Sequence, residues 1–292
     1  MTSPSRILVP VEFSPRCRGA ARFAEALACH FHSEIILLHV VTPSLASYGY
    51  PEALAYTSAV DLTEERLAER KPLLEGFLGE ELKNMRVARV LVTGDPAREI
   101  VGYAARENCD LIVLPTHGYG PFRRLLLGSV TAKVLHDAPC PVWTGPHLEA
   151  APAYESISFA KVLCAIDLGP ESPEVLRWAA GFAQSFGGEL AIVHALPMST
   201  VRMDGMYFDP EWSAQACENA RNQVSALKDK LHIDGKVIIE TGDVPDTVSA
   251  SAEEYGANLL VIGRGHRTGV LGRLRTNAYA ILRESPCPVA AI

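Results

Sequence analysis

The residues whose types and spacing could do chemistry fall in two short segments. One runs Pro115-Thr116-His117-Gly118-Tyr119-Gly120 and continues past Arg123 and Arg124 to Gly128-Ser129-Val130-Thr131. Gly118 and Gly120 let the backbone approach a ligand closely and take dihedrals that a Cβ forbids. Gly128-Ser129 reads as the opening of a helix, whose unpaired N–H groups and positive dipole end favour an anion. Ser129 and Thr131 add hydroxyl donors, and the two arginines add positive charge. Such a set would cradle a polyphosphate; a flexible turn before an N-capped helix is the plainer reading of the same residues. The other segment is Pro10-Val11-Glu12-Phe13-Ser14, an acidic residue directly after an apolar run.

Other chemistries find little footing. The nine histidines form no ligand pattern. His39 and His194 stand at equivalent strand ends and read as marks of a repeat, while His117 lies where it could touch phosphate. The seven cysteines are odd in number and contain no C-x-x-C, so neither a disulfide framework nor a zinc site is expected. No catalytic triad or carboxylate pair stands out, and no catalytic or metal-binding residue is assigned.

The elements that must position these segments repeat. Residues 6–12 match residues 161–167, and residues 34–39 match residues 189–194, both at an offset of 155. Thr93-Gly94-Asp95 matches Thr241-Gly242-Asp243, and Pro139-Cys140-Pro141-Val142 matches Pro286-Cys287-Pro288-Val289. Five matches in one order, counting Phe23-Ala24 against Trp178-Ala179, mark a tandem duplication. In the first copy, the apolar β-rich run 7–11 is a strand buried on both faces. Ser14 offers an N-cap and Pro15 a first helical position. Ala20, Phe23, Ala24, Leu27 and Phe31 then give one apolar helical face. Strands follow at 35–40, 87–92, 111–114 and 141–144. Helices are expected at 63–83, from an Asp95 cap to about 107, and from Ser129. Alternation of strand and helix implies an α/β fold: two tandem doubly wound domains, each a five-stranded parallel sheet flanked by helices. The domains are read as 1–146 and 159–292, with a proline-bearing linker at 147–158. In such sheets ligands sit at the carboxyl ends of the strands, at the switch in strand order, where both segments above lie.

Composition narrows the function classes. A chain of 292 residues with 48% hydrophobic and 21% charged residues has the make-up of an ordinary soluble protein of about two domains. A net charge of −7 argues against nucleic-acid binding and against a polybasic membrane anchor. The longest apolar runs, at 111–114 and 259–262, are too short to span a bilayer. No signal-peptide pattern opens the chain, so the cytoplasm is the expected compartment.

The opening Ile7-Leu8-Val9-Pro10-Val11-Glu12-Phe13-Ser14, the Gly118-to-Ser129 spacing and the closing Ala138-Pro139-Cys140-Pro141-Val142 resemble the universal stress protein family, twice over nearly the whole chain. The resemblance implies a Rossmann-like, adenine nucleotide α-hydrolase-like fold and a stress-response role with at most weak ATP hydrolysis. ATP-binding members carry Gly, two residues, Gly, nine residues, Gly-Ser/Thr. Here Gly118 and Gly128-Ser129 fit, Pro115 replaces the first glycine, and Glu12 stands where Asp is usual. By resemblance, Pro10, Val11 and Val40 line the adenine site and Glu12 faces the ribose. Gly118, Gly128, Ser129, Val130 and Thr131 would then hold the phosphates of ATP, with Mg as companion ion. The second copy keeps Asp167, Gly263 and Gly265, but His266 stands at the second glycine and Thr276-Asn277 where Gly-Ser would be. Its loop is basic instead, and Arg264, Arg267 or Arg273 could meet an anion; a solvated charged loop is the plain alternative. The family also pairs the fifth strands, which implies a dimer-like packing of the two copies within one chain; a homodimer is left open. Two other function classes stay in view. One is a scaffold that binds no nucleotide and works through protein contacts. The other is an adenylating enzyme, whose Ser-Gly-Gly-x-Asp-Ser loop is not found.

Overall fold

The computed structural model describes residues 3–43, 52–116, 127–145, 152–197, 210–265 and 276–292. The first copy runs β1 (Arg6–Pro10), α1 (Pro15–Phe31), β2 (Glu34–Val41), α2 (Glu52–Gly76), β3 (Val87–Thr93), α3 (Pro96–Arg106), β4 (Leu111–Val113), α4 (Ser129–Asp137) and β5 (Val142–Thr144). A 3-10 turn (Tyr154–Ser156) precedes the second copy. That copy runs β6 (Lys161–Ala165), α5 (Ser172–Ser185), β7 (Glu189–Pro197), α6 (Pro210–Lys230), β8 (Lys236–Gly242), α7 (Val244–Tyr255), β9 (Leu259–Ile262), α8 (Thr276–Glu284) and β10 (Val289–Ala291).

The ten strands among the described residues form one sheet in the order β3-β2-β1-β4-β5-β10-β9-β6-β7-β8. Each half is parallel and doubly wound, with its order reversing between β1 and β4 or between β6 and β9. The halves meet antiparallel at the fifth strands, with Thr144 opposite Val289, Trp143 opposite Ala290 and Val142 opposite Ala291. The order reads the same from either end, so the chain is a pseudo-twofold dimer of its own two copies. Each fifth strand would otherwise present an unpaired edge, and their pairing removes both.

Strand residues alternate between two cores because successive side chains point to opposite faces. Ile7, Val9, Ile35, Leu37 and Trp143 pack with α1 and α5 on one face. Leu8, Ile36, Leu38, Ile112 and Val142 pack with α3, α4, α7 and α8 on the other. The β1 residues Ile7, Leu8 and Val9 are all wholly buried, as a two-sided parallel strand requires. Around Trp143 the copies share an aromatic seam: its ring lies 6.2 Å from Phe23, 5.4 Å from Phe159 and 5.6 Å from Phe182. His30 stacks on Phe186 at 3.9 Å. All seven cysteines are free, and five of them, Cys17, Cys109, Cys140, Cys164 and Cys287, are buried.

One helix differs from the sequence reading. α2 starts at Glu52 rather than 63 and stops at Gly76 rather than about 83. The stretch before Thr63 carries Ala53, Leu54, Ala55, Ala59 and Leu62, which propagate a helix without needing a cap there. Gly76 ends it, and Leu78 then takes a left-handed φ of 56°.

Candidate functional site

The crevice of the first copy opens where β1 and β4 part. β1 pairing extends one residue past the strand, since the Val11 N–H donates to the Leu38 carbonyl at 2.8 Å. Phe13 then takes a left-handed φ of 65° and turns the chain away from the sheet into α1. The second copy repeats the device: Ile166 N–H donates to Val193, and Leu168 has φ 60°. A histidine from the neighbouring strand fixes each turn. His39 Nδ1 lies 2.7 Å from the Val11 carbonyl, and His194 Nδ1 lies 2.8 Å from that of Ile166. A carbonyl only accepts, so Nδ1 is the donor in both rings. Burial pushes the His39 pKa down, partly offset by the Val11 carbonyl, with Arg70 of α2 adding to the fall and Glu12 opposing it. The ring is therefore neutral near pH 7 and polar toward the crevice.

Glu12 is half-buried beside it. Its carboxylate accepts the Ser14 hydroxyl at 3.1 Å, and its N–H points at Cys17 Sγ at 3.3 Å. Ser14 occupies the N-cap position of α1 as read from the sequence, but makes no side-chain cap bond, because its hydroxyl is turned to Glu12. In the second copy the shorter Asp167 folds back on its own turn instead, accepting from Gly169 N–H at 2.8 Å and Ser172 Oγ at 3.1 Å. The donors differ with the sequence: Ser14 stands where the second copy has Gly169, and Cys17 where it has Ser172.

The phosphate-binding candidates divide. Gly118, together with His117, Gly120, Arg123 and Arg124, lies outside the described residues. Gly128 is the N-cap of α4 with φ −60° and ψ 143°, gives no side-chain cap, and no acidic residue stands in the first turn. The first amides of that helix have no intrahelical acceptor. Ser129 is exposed and Val130 half-buried at this mouth. Thr131 is 4% exposed and its hydroxyl donates to the Pro115 carbonyl at 3.0 Å. Gly128 N–H donates to the Thr116 carbonyl at 2.9 Å. These two bonds tie the start of α4 to Pro115 and Thr116 just past β4, so Thr131 has only its N–H left as a donor. Pro115, which lacks an N–H, serves through its carbonyl.

Pro10 ends β1 half-exposed, Val11 is buried against the α1 face, and Val40 sits half-buried on the opposite face near the end of β2. Above the end of β2, Arg66 of α2 donates to the Thr42 carbonyl at 3.2 Å. Arg66 and Arg70 lie one helical turn apart and bring positive charge to this side. The sequence reading missed them; their i, i+4 spacing within α2 was the available signal.

In the second copy a cavity of about 310 Å³ lies at the corresponding place, lined by Asp167, His194, Gly263, Gly265 and Asn277 over an apolar floor. Gly265 has φ 86°, which a side chain would resist. Arg264, expected to meet an anion there, turns away: its guanidinium donates to the Ala138 carbonyl at 2.9 Å and lies 3.4 Å from that of Leu135. The alignment of the helix start also shifts. The ends of α4 and α8 and the starts of β5 and β10 are all 147 residues apart. Thr276 therefore matches Ser129 and Arg275 matches Gly128, rather than Thr276-Asn277 matching Gly-Ser. Among the described residues no group of three or more His, Cys, Asp or Glu could hold a metal ion, and no helix is long and apolar enough to cross a membrane.

Against known proteins, the universal stress protein family model matches residues 4–144 and 158–292. A universal stress protein of Mycobacterium bovis is 33% identical over 291 residues, covering 97% of this chain and 95% of that one. Another from Methanocaldococcus jannaschii is 31% identical over 137 residues, 47% of this chain and 79% of that one. The crystal structure of a universal stress protein from Archaeoglobus fulgidus superposes with a TM-score of 0.66 at 24% identity, covering 99% of this chain and 96% of that one, which supports the fold. The duplicated sheet, the paired fifth strands and these matches together make the chain a member of the universal stress protein family, with two of its domains in tandem.

Proposed function

We propose that the first domain, residues 1–146, binds an adenine nucleotide, ATP, and that the protein works as a nucleotide-responsive regulator rather than an efficient catalyst. The observation that carries this reading is the mouth of α4. It has a glycine N-cap, no side-chain cap and no acid in its first turn, at the carboxyl edge of the sheet beside the β1 crevice. Oriented N–H groups at such a helix end suit phosphate. Pro10, Val11 and Val40 supply apolar walls for the base, Glu12 an acceptor for ribose hydroxyls, and Ser129, Val130 and Thr131 the backbone N–H groups for phosphate. Gly118 belongs to the same set. Magnesium would ride on the phosphates, in keeping with its habit of using one or two carboxylates plus substrate oxygens.

Calorimetric titration of ATP into the full chain and into Gly128→Val tests this. The φ of Gly128 suits any L residue, so valine should leave the fold intact while its branched side chain keeps phosphate oxygens off the amides. Losing one charge-assisted hydrogen bond should weaken binding roughly tenfold or more. Equal affinity in a folded variant would remove α4 as the phosphate site. Absence of ATP binding by the unaltered chain would favour a scaffold that acts through protein contacts, in line with Pro115 at the first glycine position.

A further inference from the structure

α4 joins the two domains end to end. Its N-terminus is the phosphate mouth of the first domain, and its C-terminus is held by a residue of the second. The C-cap Ala138 is extended, with φ −61° and ψ 137°, and Pro139 follows it with no N–H to give. The last carbonyls of the helix therefore need a donor from elsewhere. Arg264 supplies it, donating to Ala138 at 2.9 Å and reaching Leu135 at 3.4 Å, while its own N–H is pinned to the Ile292 carbonyl at 3.0 Å. A cation at this end also suits the helix dipole.

The residue equivalent to Arg264 in the first copy is not an arginine. Val113 lies beside Trp143 and Val261 beside Ala290, which sets Arg264 opposite Thr116 of the first copy. Thr116 is buried, and its carbonyl takes the Gly128 N–H within its own domain. The C-terminus of α8 is likewise served from its own domain, by Ser249 Oγ to the Glu284 carbonyl at 2.5 Å. Arg264 sits between Gly263 and Gly265, which line the second crevice. One side chain thus connects the wall of the second crevice to the helix that opens the first.

We infer that Arg264 is a positioning residue for anion binding in the first domain, acting across the domain boundary through α4. The inference rests on the nucleotide reading above. A helix of nine residues is too short to be stable alone, so freeing its C-terminus loosens the amides about 13 Å away at its N-terminus. By linkage, a nucleotide on those amides steadies the 263–265 segment in return.

The test uses the full chain, with ATP as probe. Arg264→Met keeps the aliphatic length and removes the donors; Arg264→Lys keeps the charge with simpler hydrogen bonding. Arg264→Met should weaken ATP binding roughly 2- to 30-fold at unchanged stoichiometry, and Arg264→Lys should recover part of the loss. Hydrogen exchange adds a readout that mere scaffolding would not move. ATP should slow exchange at 263–265 as well as at the start of α4 in the unaltered chain, and only at α4 in Arg264→Met. If Arg264→Met binds like the unaltered chain while Gly128→Val does not, the inference falls and the nucleotide reading stands. If Gly128→Val binds normally, or ATP leaves exchange at the start of α4 unchanged, the reading itself falls and takes the inference with it.

Discussion

Glu25 lies on α1 with 7% of its surface exposed. Burial, then the nearby carboxylates of Glu155 and Glu81, push its pKa up to about 7 against a pull from Arg22. A folded-state value above the unfolded one means that its contribution to stability is fully present below about pH 4.5 and is lost as pH rises through about 7. Glu25→Gln removes the buried charge. It should raise the melting temperature at pH 8 by a few degrees, an effect on the order of 1–2 kcal/mol. The gain should vanish near pH 5. An equal gain at both pH values would show that the carboxyl is not the source. His39 runs the other way: its lowered pKa makes its contribution present above the ordinary histidine value and lost as pH falls below it. At this scale the sequence was informative wherever a motif tied a residue to a turn. Val11 and Glu12 follow β1, and Gly128 opens α4, at the carboxyl edge of the sheet. The sequence was silent on partners, because a hydrogen bond such as His39 to Val11 depends on two strands meeting in register. The same holds for Thr131, whose buried hydroxyl proved to be a tie to Pro115 rather than a free donor.

Trp143 shows what the shared elements cost and hold. It is wholly buried on β5 opposite Ala290, touching rings from both copies, and its Nε1 has no hydrogen-bond partner among the described residues. It is therefore held for its volume rather than its donor. Trp143→Ala should cost about 3–5 kcal/mol, and a denaturant melt should still show one transition for both copies, since the cavity opens in a core they share. Two separate transitions would contradict that. Trp143→Phe should cost much less. The strands were legible because runs such as 7–11 are too apolar and too short for anything but a two-sided strand. The bounds of α2 were not: the 63–83 reading ran through Pro72, as the helix does, but set its start at 63 rather than Glu52 and its end near 83 rather than Gly76.

As a whole molecule, the chain behaves as a dimer whose halves have been free to diverge. The repeat and the two edge strands made the central pairing of β5 with β10 readable in advance. The asymmetry was not readable, since nothing in the order of residues says that Arg264 reaches a helix more than a hundred positions earlier in the chain. Both crevices sit at the same place in the sheet, yet one faces a helix mouth without a side-chain cap and the other has given Arg264 from its wall to its neighbour. The central claim is that nucleotide binds in the first crevice. A crystal structure of the full chain grown with a non-hydrolysable ATP analogue tests it most directly. The account predicts the adenine beside Val11 and Val40, the ribose near Glu12, and the phosphates against the amides of Ser129 and Val130. Density for the analogue only in the second crevice, beside Asp167 and His194, or in neither, would contradict it.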